Sequence, residues 1–102
     1  MNGISASELH AKLLAGQSPM LLDVREELEF HTFNIGGQNI PLGHLIQDID
    51  ELEIDLEEEI VVICQRGIRS LTACSVLVAA GFKNVINLHD GLLGWQKHVQ
   101  RS

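Results

Sequence analysis

The stretch Ile60-Val-Val-Ile-Cys-Gln-Arg-Gly-Ile-Arg-Ser70 decides the class of fold. Its first four residues are all β-branched, which favours a strand that is buried on both faces. Residues 64–70 form a predicted loop around Gly67, and the apolar spacing after Ser70 predicts a helix. A buried strand, a short loop and a helix make up the repeating unit of a parallel α/β sheet.

The same alternation of strand and helix patterns continues on both sides of this stretch. Short apolar runs predict further strands at residues 20–24 and 85–88, and residues 38–40 are a weaker, short strand candidate. Ser5 and Glu8 form a capping box before the first helix, which Gly16 ends. Other helices are predicted over residues 26–32 and 91–98, from Pro41 along Leu42, Leu45, Ile46, Ile49 and Leu52, and after Ser70 along Leu71, Cys74, Val76, Leu77 and Ala80. We expect one α/β domain over residues 1–102, with helices on both faces of a parallel sheet.

Composition narrows the class of protein further. The chain has 102 residues, 45% of them hydrophobic, and its 14 acidic and 7 basic side chains give a net charge of −7. This apolar content argues against disorder, and no apolar run approaches the roughly 20 residues of a membrane span. The negative charge disfavours nucleic acid and anionic membranes as partners. Two cysteines and an N-terminus without a secretory signal pattern predict a reduced, cytoplasmic protein, and the small size predicts a monomer.

The negative charge is concentrated in residues 48–59. This acidic strip holds eight of the 14 acidic residues and no lysine or arginine, so the remaining residues carry a net charge of +1. The strip is either a solvated face or a docking surface for a basic partner. Its last residue enters the Ile60 strand at the amino end, roughly 13 Å from Cys64, so we expect no direct role in chemistry there.

Cys64 follows a buried strand, at the edge of the sheet where α/β proteins bind ligands. Backbone N–H groups of residues 65–70 can converge there on an anion, with Gly67 at positive φ and the start of the next helix nearby. Arg66 and Arg69 add positive charge. These features predict a thiolate whose pKa lies below the roughly 8.5 of a free cysteine. The alternative interpretation of Cys64 is a small buried core residue.

Five segments resemble motifs of the rhodanese family, in the family's order along the chain. The loop Cys64-Gln-Arg-Gly-Ile-Arg-Ser70 is similar to the family's active-site loop, Cys-x-x-Gly-x-Arg-Ser/Thr. The other four segments are Asp23-Val-Arg25 with Glu29-Phe30, Asn39-Ile-Pro41-Leu42, Ala80-Gly-Phe-Lys-Asn-Val85 and Gly91-Leu-Leu-Gly-Trp95. The five segments lie between Asp23 and Trp95, and the resemblance as a whole extends from about residue 4 to residue 98.

The resemblance implies a three-layer α/β/α fold with a five-stranded parallel sheet, and sulfurtransferase chemistry without a metal or cofactor. Cys64 would take the outer sulfur of thiosulfate, or of a protein persulfide, and pass it to a thiol or cyanide. Arg69 occupies the family's substrate-contacting position, within a substrate loop made of Gln65, Arg66, Gly67, Ile68, Arg69 and Ser70. A catalytically weak interaction module on the same fold is the alternative, and the intact Cys64 favours the enzyme.

Loop length separates this chain from the related cysteine phosphatases, which use Cys-x5-Arg. Here only four residues separate Cys64 from Arg69, and Ile63 replaces the usual preceding histidine, which disfavours phosphatase or arsenate-reductase activity. The chain also departs from the rhodanese pattern in two places. Asn34 lies in a segment without the usual His and Pro, and Asp90 replaces the first glycine of a Gly-Gly pair, so loop shape and turnover stay open.

Several other residues have two interpretations. Asp23 and Arg25 either control the electrostatics of the loop or are structural, with Arg25 paired to Glu29 and Asp23 bound to backbone N–H groups. We favour the structural interpretation. We expect Cys74 to pack in the core rather than act as a resolving thiol, and Trp95 to anchor the last helix rather than stack on a ligand. The five histidines lack metal-ligand spacing, so no metal site is expected.

Overall fold

The computed structural model describes residues 2–101 and the side chains of residues 2–100, so Met1 and Ser102 of the predicted domain lie outside the described residues. The strands are β1 Asn2–Ile4, β2 Met20–Asp23, β3 Gln38–Asn39, β4 Glu59–Ile63 and β5 Asn84–Leu88. The helices are α1 Ala6–Leu14, α2 Glu27–Thr32, α3 Leu42–Gln47, α4 Arg69–Ala79 and α5 Gly91–Arg101, with a 3₁₀ turn at Ile49–Glu51.

The five strands form one sheet in the order β1-β5-β4-β2-β3, and every neighbouring pair is parallel. β4 lies at the centre, where Ile63 pairs with Asp23 of β2 and Val62 with Asn87 of β5. Because parallel strands end on the same edge, the carboxyl ends of β2, β4 and β5 meet beside the loop that follows β4. The predicted parallel α/β sheet is confirmed.

Alternate residues of β4 face opposite helical layers. Ile60 and Val62 pack in a core with residues of α3 and α4, whereas Val61 and Ile63 pack with residues of α1 and α5. This gives the three-layer arrangement that the rhodanese resemblance implied. Cys64 continues the alternation and belongs to the core on the α4 side. The two-residue period of the strand therefore directs the thiol toward α4.

Local signals located most elements correctly. The capping box is present, since Glu8 N–H donates to Ser5 Oγ at 3.1 Å and Ser5 N–H to Glu8 Oε1 at 3.0 Å. The exception is the edge strand β1, which the resemblance implied only as a fifth strand without a position. Asn2 and Gly3 are poor strand formers, and β1 exists because it pairs along β5.

Two predicted apolar faces are wrong in detail. Pro41 is the N-cap of α3 rather than its first residue, α3 ends at Gln47, and Ile46 is 48% exposed. Leu71 on α4 and Ala80 at its C-cap are exposed, and α4 instead buries Ser70, Ala73, Cys74 and Leu77. Within the part of the chain that the structure covers, no helix has the length and apolar character needed to cross a membrane.

Candidate active site

Two backbone N–H donors and the hydroxyl of Ser70 surround the sulfur of Cys64. The backbone N–H groups of Gly67 and Ser70 lie 3.1 and 3.3 Å from Sγ, and the Ser70 hydroxyl lies 3.3 Å from it. Gly67 belongs to the loop, and Ser70 lies in the first turn of α4, where N–H groups have no acceptor within the helix. The loop and the helix start thus form the anion cradle that the sequence predicted.

These donors set the ionisation of the thiol. Burial raises the pKa of Cys64, but the Ser70 hydroxyl and the N–H groups of Ser70, Arg66 and Gly67 lower it by more, so the pKa lies below its ordinary value. The predicted direction agrees with this result. Hydrogen bonds to the sulfur are the main cause of the lowered pKa of Cys64, whereas the prediction from the sequence also relied on the charges of Arg66 and Arg69.

Gly67 has the positive φ expected of it, at +86°. Its Cα also lies so close to the carbonyl of His89 that a side chain there would collide with it. The loop is held from the same side by α5, because Leu92 N–H donates to the Cys64 carbonyl at 2.9 Å and Leu93 N–H to the Gln65 carbonyl at 3.0 Å. The connection between β5 and α5 therefore supports the loop.

Asn87 is the residue near Cys64 that sequence reasoning missed. Its side chain is buried in β5, where Oδ1 accepts from the Ser70 hydroxyl at 2.5 Å and Nδ2 donates to the Gly67 carbonyl at 3.3 Å. Asn87 thus orients both the hydroxyl and the loop that face the thiol. The available signal was a single asparagine in the otherwise apolar run of residues 85–88.

Arg69 forms an ion pair with Glu29, a residue that the sequence analysis paired with Arg25. Its guanidinium binds the Glu29 carboxylate through two contacts of 2.6 and 2.9 Å, which join α4 to α2. The hydrogen bond from Arg69 lowers the pKa of Glu29 to about 2. Much of the charge of Arg69 is therefore compensated within the protein.

The predicted pairing of Arg25 with the Glu29 carboxylate is wrong. Arg25 instead binds the carboxylate of Asp23 through Nε and Nη2 at 2.9–3.2 Å, and Asp23 Oδ1 also accepts the Arg25 backbone N–H at 3.0 Å. Side chains two residues apart at a strand end lie on the same side, which brings the two charges together. Arg25 also donates to the backbone carbonyls of Glu29 and Phe33 at 3.3 and 2.6 Å, so this buried pair ties β2 to α2.

A cleft of about 210 Å³ lies over the thiol, and we call it the reaction cleft. It brings together most of the predicted loop residues, with Ile68 71% exposed at the mouth. Its lining consists of Cys64, Gln65, Arg66, Ile68 and Arg69. Gly67 and Ser70 contact the sulfur from the protein side instead. A cleft of this size suits a small anion.

Cys74 lies fully buried in the core on the α4 side, where burial and the negative charge of Cys64 raise its pKa to about 11. Trp95 packs against the other core and contacts the ring of His10 edge-on at 5.5 Å. Both positions agree with the packing roles expected of these residues. Among the described side chains, no three His, Cys, Asp or Glu residues are placed to share a metal ion.

The two departures from the rhodanese pattern fit the backbone. Asn34 Oδ1 accepts the Gly36 N–H at 2.9 Å, so the segment closes its own turn without the usual His and Pro. Asp90 does not adopt a positive φ, so it does not require glycine, and Gly91 takes that role with φ +62°.

The acidic strip lies at the other end of the strands, where Glu59 and Glu57 pair with Lys12 and Lys83 at 2.9 Å.

Comparison with known proteins agrees with this geometry. The family model of the rhodanese-like domain matches residues 5–98. A sulfurtransferase of Allochromatium vinosum is 31% identical over 99 residues, which cover 96% of this chain and 91% of that protein. A probable adenylyltransferase/sulfurtransferase of Mycobacterium tuberculosis is 30% identical over 98 residues, which cover 95% of this chain but 25% of that longer protein.

Among solved structures, the human single-domain sulfurtransferase superposes with a TM-score of 0.77 at 26% identity, covering 100% of this chain and 98% of the human one. Sequence and fold thus agree along nearly the whole length of the chain. A family-model match of this extent, together with these relatives, means that the chain belongs to the rhodanese-like domain family.

Proposed function

We propose that this chain is a sulfurtransferase that carries a sulfane sulfur on Cys64. The observation that carries the proposal is the sulfur itself, which directly follows a central strand and accepts from Gly67 N–H and Ser70 N–H at 3.1 and 3.3 Å, with the Ser70 hydroxyl oxygen 3.3 Å away. A merely structural cysteine needs no such donors, as Cys74 illustrates. The sulfurtransferases among the relatives support the same reaction class.

The first step uses the thiolate as a nucleophile. Cys64 Sγ attacks the outer sulfur of thiosulfate, the S–S bond of thiosulfate breaks, and sulfite leaves with the bonding electron pair. The product is a persulfide anion on Cys64. The donors of the cradle favour this anion as they favour the thiolate, and the reaction cleft of about 210 Å³ accommodates the small donor. A protein persulfide would serve as donor by the same attack.

The second step regenerates the free thiolate of Cys64. A thiolate or cyanide attacks the outer sulfur of the persulfide, and Cys64 leaves as the thiolate that began the cycle. These two steps need no metal and no cofactor, because the thiol is both nucleophile and carrier. They do need a reduced Cys64, so the proposal includes a reducing, cytoplasmic setting, with residues 1–102 acting as one monomeric domain.

The test is intact-mass spectrometry after treatment with thiosulfate. We expect the wild-type protein to gain one sulfur, about 32 Da by atomic mass, and to lose it again with cyanide as thiocyanate. Cys64→Ser should gain none. Cys74→Ala is the matched control, because it removes the other thiol from the same core and should still gain one sulfur.

Absence of the gain in wild type, together with absence of thiocyanate, would overturn the proposal. The chain would then be better described as an interaction module that keeps the fold without the chemistry. A gain that persists in Cys64→Ser and disappears in Cys74→Ala would show that Cys74, not Cys64, carries the sulfur, and this result would also overturn the proposal.

A further inference from the structure

Most of the lysine and arginine side chains that the structure describes form ion pairs with carboxylates, but two do not. The chain has 7 basic residues, of which all but Arg101 have described side chains. Four of these six form ion pairs, namely Lys12, Arg25, Arg69 and Lys83. Within residues 2–100, Arg66 and Lys97 are the two basic side chains that no carboxylate pairs with, and both are exposed.

These two unpaired cations line the same cavity. It has a volume of about 530 Å³, lies between the start of α1 and one side of α5, and we call it the basic cavity. Asp90 contributes the one carboxylate of the lining, and Ser7 and Leu93 add a hydroxyl and an apolar side chain. Arg66 and Lys97 carry two positive charges against the one negative charge of Asp90, so the lining retains an excess of positive charge.

The basic cavity adjoins the reaction cleft. Arg66 lines both spaces and follows Cys64 by two residues, so it forms a wall that the two share. The other end of the molecule has the opposite character, because the acidic strip lies at the amino ends of the strands. Outside the acidic strip the chain carries a net charge of +1, and its two unpaired cations line a cavity that adjoins the reaction cleft, where they favour the approach of an anion.

We propose that the basic cavity binds the sulfur acceptor, and that this acceptor is a small thiol that carries carboxylate groups. The inference rests on the proposed function and adds the substrate class of its second step. Lys97 and Arg66 bind the carboxylates, while the thiolate extends past Arg66 to the persulfide in the reaction cleft. A volume of about 530 Å³ lies within the range of small-molecule sites and exceeds what thiosulfate or cyanide requires.

The transfer step is balanced without any further reagent. The acceptor thiolate attacks the outer sulfur of the Cys64 persulfide, and the bond between that sulfur and Sγ breaks. The bonding pair stays on Sγ, which leaves as a thiolate, and the acceptor departs as a persulfide anion. One anion enters and one is released, so the charge on the enzyme is the same before and after the step, and the enzyme loses only the transferred sulfur.

The experiment starts from protein that has been loaded with sulfur by thiosulfate and checked by mass. Unloading is then measured with mercaptosuccinate, which carries two carboxylates, and with thioglycerol, which carries none. Lys97→Gln should raise the KM for mercaptosuccinate about three- to tenfold, as expected for loss of one partly exposed charged contact, and leave thioglycerol within about twofold. Added salt should narrow the difference between the two thiols in wild type.

Lys83→Gln is the matched control. It removes the same charge from an exposed lysine, but Lys83 precedes β5 at the amino ends of the strands, far from the thiol. We expect it to leave both acceptors unchanged. This variant separates binding in the basic cavity from a general effect of net charge on the approach of an anion.

The outcomes distinguish this inference from the proposed function. Loading with sulfur followed by an equal response of both thiols to Lys97→Gln, or by no response of either, overturns the acceptor site and leaves the sulfurtransferase intact. Equal effects of Lys83→Gln and Lys97→Gln on mercaptosuccinate also overturn it. Failure of every variant to load with sulfur overturns both proposals together.

Discussion

Cys64 and Cys74 belong to the same hydrophobic core, but they differ in the pKa of the thiol and in the hydrogen-bond donors around the sulfur. Both are free thiols, both are buried to within 1% of complete burial, and both pack on the α4 side of the sheet. The pKa of Cys74 is raised to about 11 by burial and by the charge of Cys64, whereas the pKa of Cys64 is lowered. Burial alone therefore predicts the wrong direction for Cys64.

The difference lies in the donors that each sulfur can reach. Cys74 is inside α4, where backbone N–H groups already donate to the carbonyls of the preceding turn. Cys64 faces a loop and the first turn of the same helix, whose N–H groups have no such acceptor. The Ser70 hydroxyl and these N–H groups together lower the pKa of Cys64 by more than burial raises it. Each prediction below changes one contribution to this contrast.

The largest effect is expected from Gly67→Ala, which should make Cys64 behave more like Cys74. An alanine at φ +86° is strained, and its Cβ collides with the His89 carbonyl, so the loop must shift and withdraw its N–H from Sγ. We expect sulfur uptake to fall about a hundredfold or more, because small displacements of a reacting group have effects of that order. The free energy of unfolding should fall by about 1–3 kcal/mol.

Gly16→Ala is the control for backbone strain. Gly16 has a similar φ of +82°, but a Cβ there would meet no atom within 4 Å. Urea unfolding should therefore show a loss of about 1 kcal/mol, with sulfur uptake unchanged. Comparable uptake in the two variants would contradict the idea that the position of the loop activates Cys64.

A smaller effect is expected from Ser70→Ala, which removes the hydroxyl beside Sγ and keeps the backbone N–H donors. Loss of a hydrogen bond to a charged group should raise the pKa of Cys64 by about one unit, equal to about 1.4 kcal/mol. The pH dependence of the alkylation rate measures this pKa. At a pH below both values, the rates of alkylation and of sulfur uptake should fall up to about tenfold.

Ser75→Ala is the matched control on the same helix, since its hydroxyl donates to the Leu71 carbonyl on the exposed face. We expect it to leave the alkylation profile unchanged. An unchanged pKa in Ser70→Ala would mean that the hydroxyl proton stays with Asn87 Oδ1, 2.5 Å away, and does not reach the thiolate.

The smallest effect is expected from Glu29→Gln, which leaves the donors to Cys64 Sγ in place. The pKa of Glu29 is lowered from 4.5 to about 2, so its ion pair with Arg69 is complete above about pH 4.5 and is lost as the pH falls toward 2. Both side chains are more than a third exposed, and solvent screening limits the contribution to about 1 kcal/mol or less. The free energy of unfolding of wild type should fall by this amount more than that of Glu29→Gln over the same range.

Urea unfolding at pH 5 and at about pH 2.5 measures this difference. In the same variant, the pKa of Cys64 should move by less than in Ser70→Ala, because every donor to Sγ remains. A larger shift in Glu29→Gln would show that the cation, rather than the hydrogen bonds, controls the thiol.

The sequence alone determined the class of fold and the place of Cys64 at the carboxyl end of a buried strand. Hydrophobic periodicity and turn residues are local, so they predicted the strand before Cys64, the loop around Gly67 and the helix after Ser70. The capping box and the positive φ of Gly67 are equally local and were correct. The motifs of the rhodanese resemblance placed these elements in order along almost the whole chain.

The tertiary structure alone decided which distant side chains meet. Glu29 binds Arg69, 40 residues away, rather than Arg25, and Asn87 reaches Ser70 from another strand. Arg66 and Lys97 line one cavity only because α5 packs beside the loop. Such pairings depend on strand order and on the directions of side chains at element ends, and neither leaves a periodic pattern in the sequence.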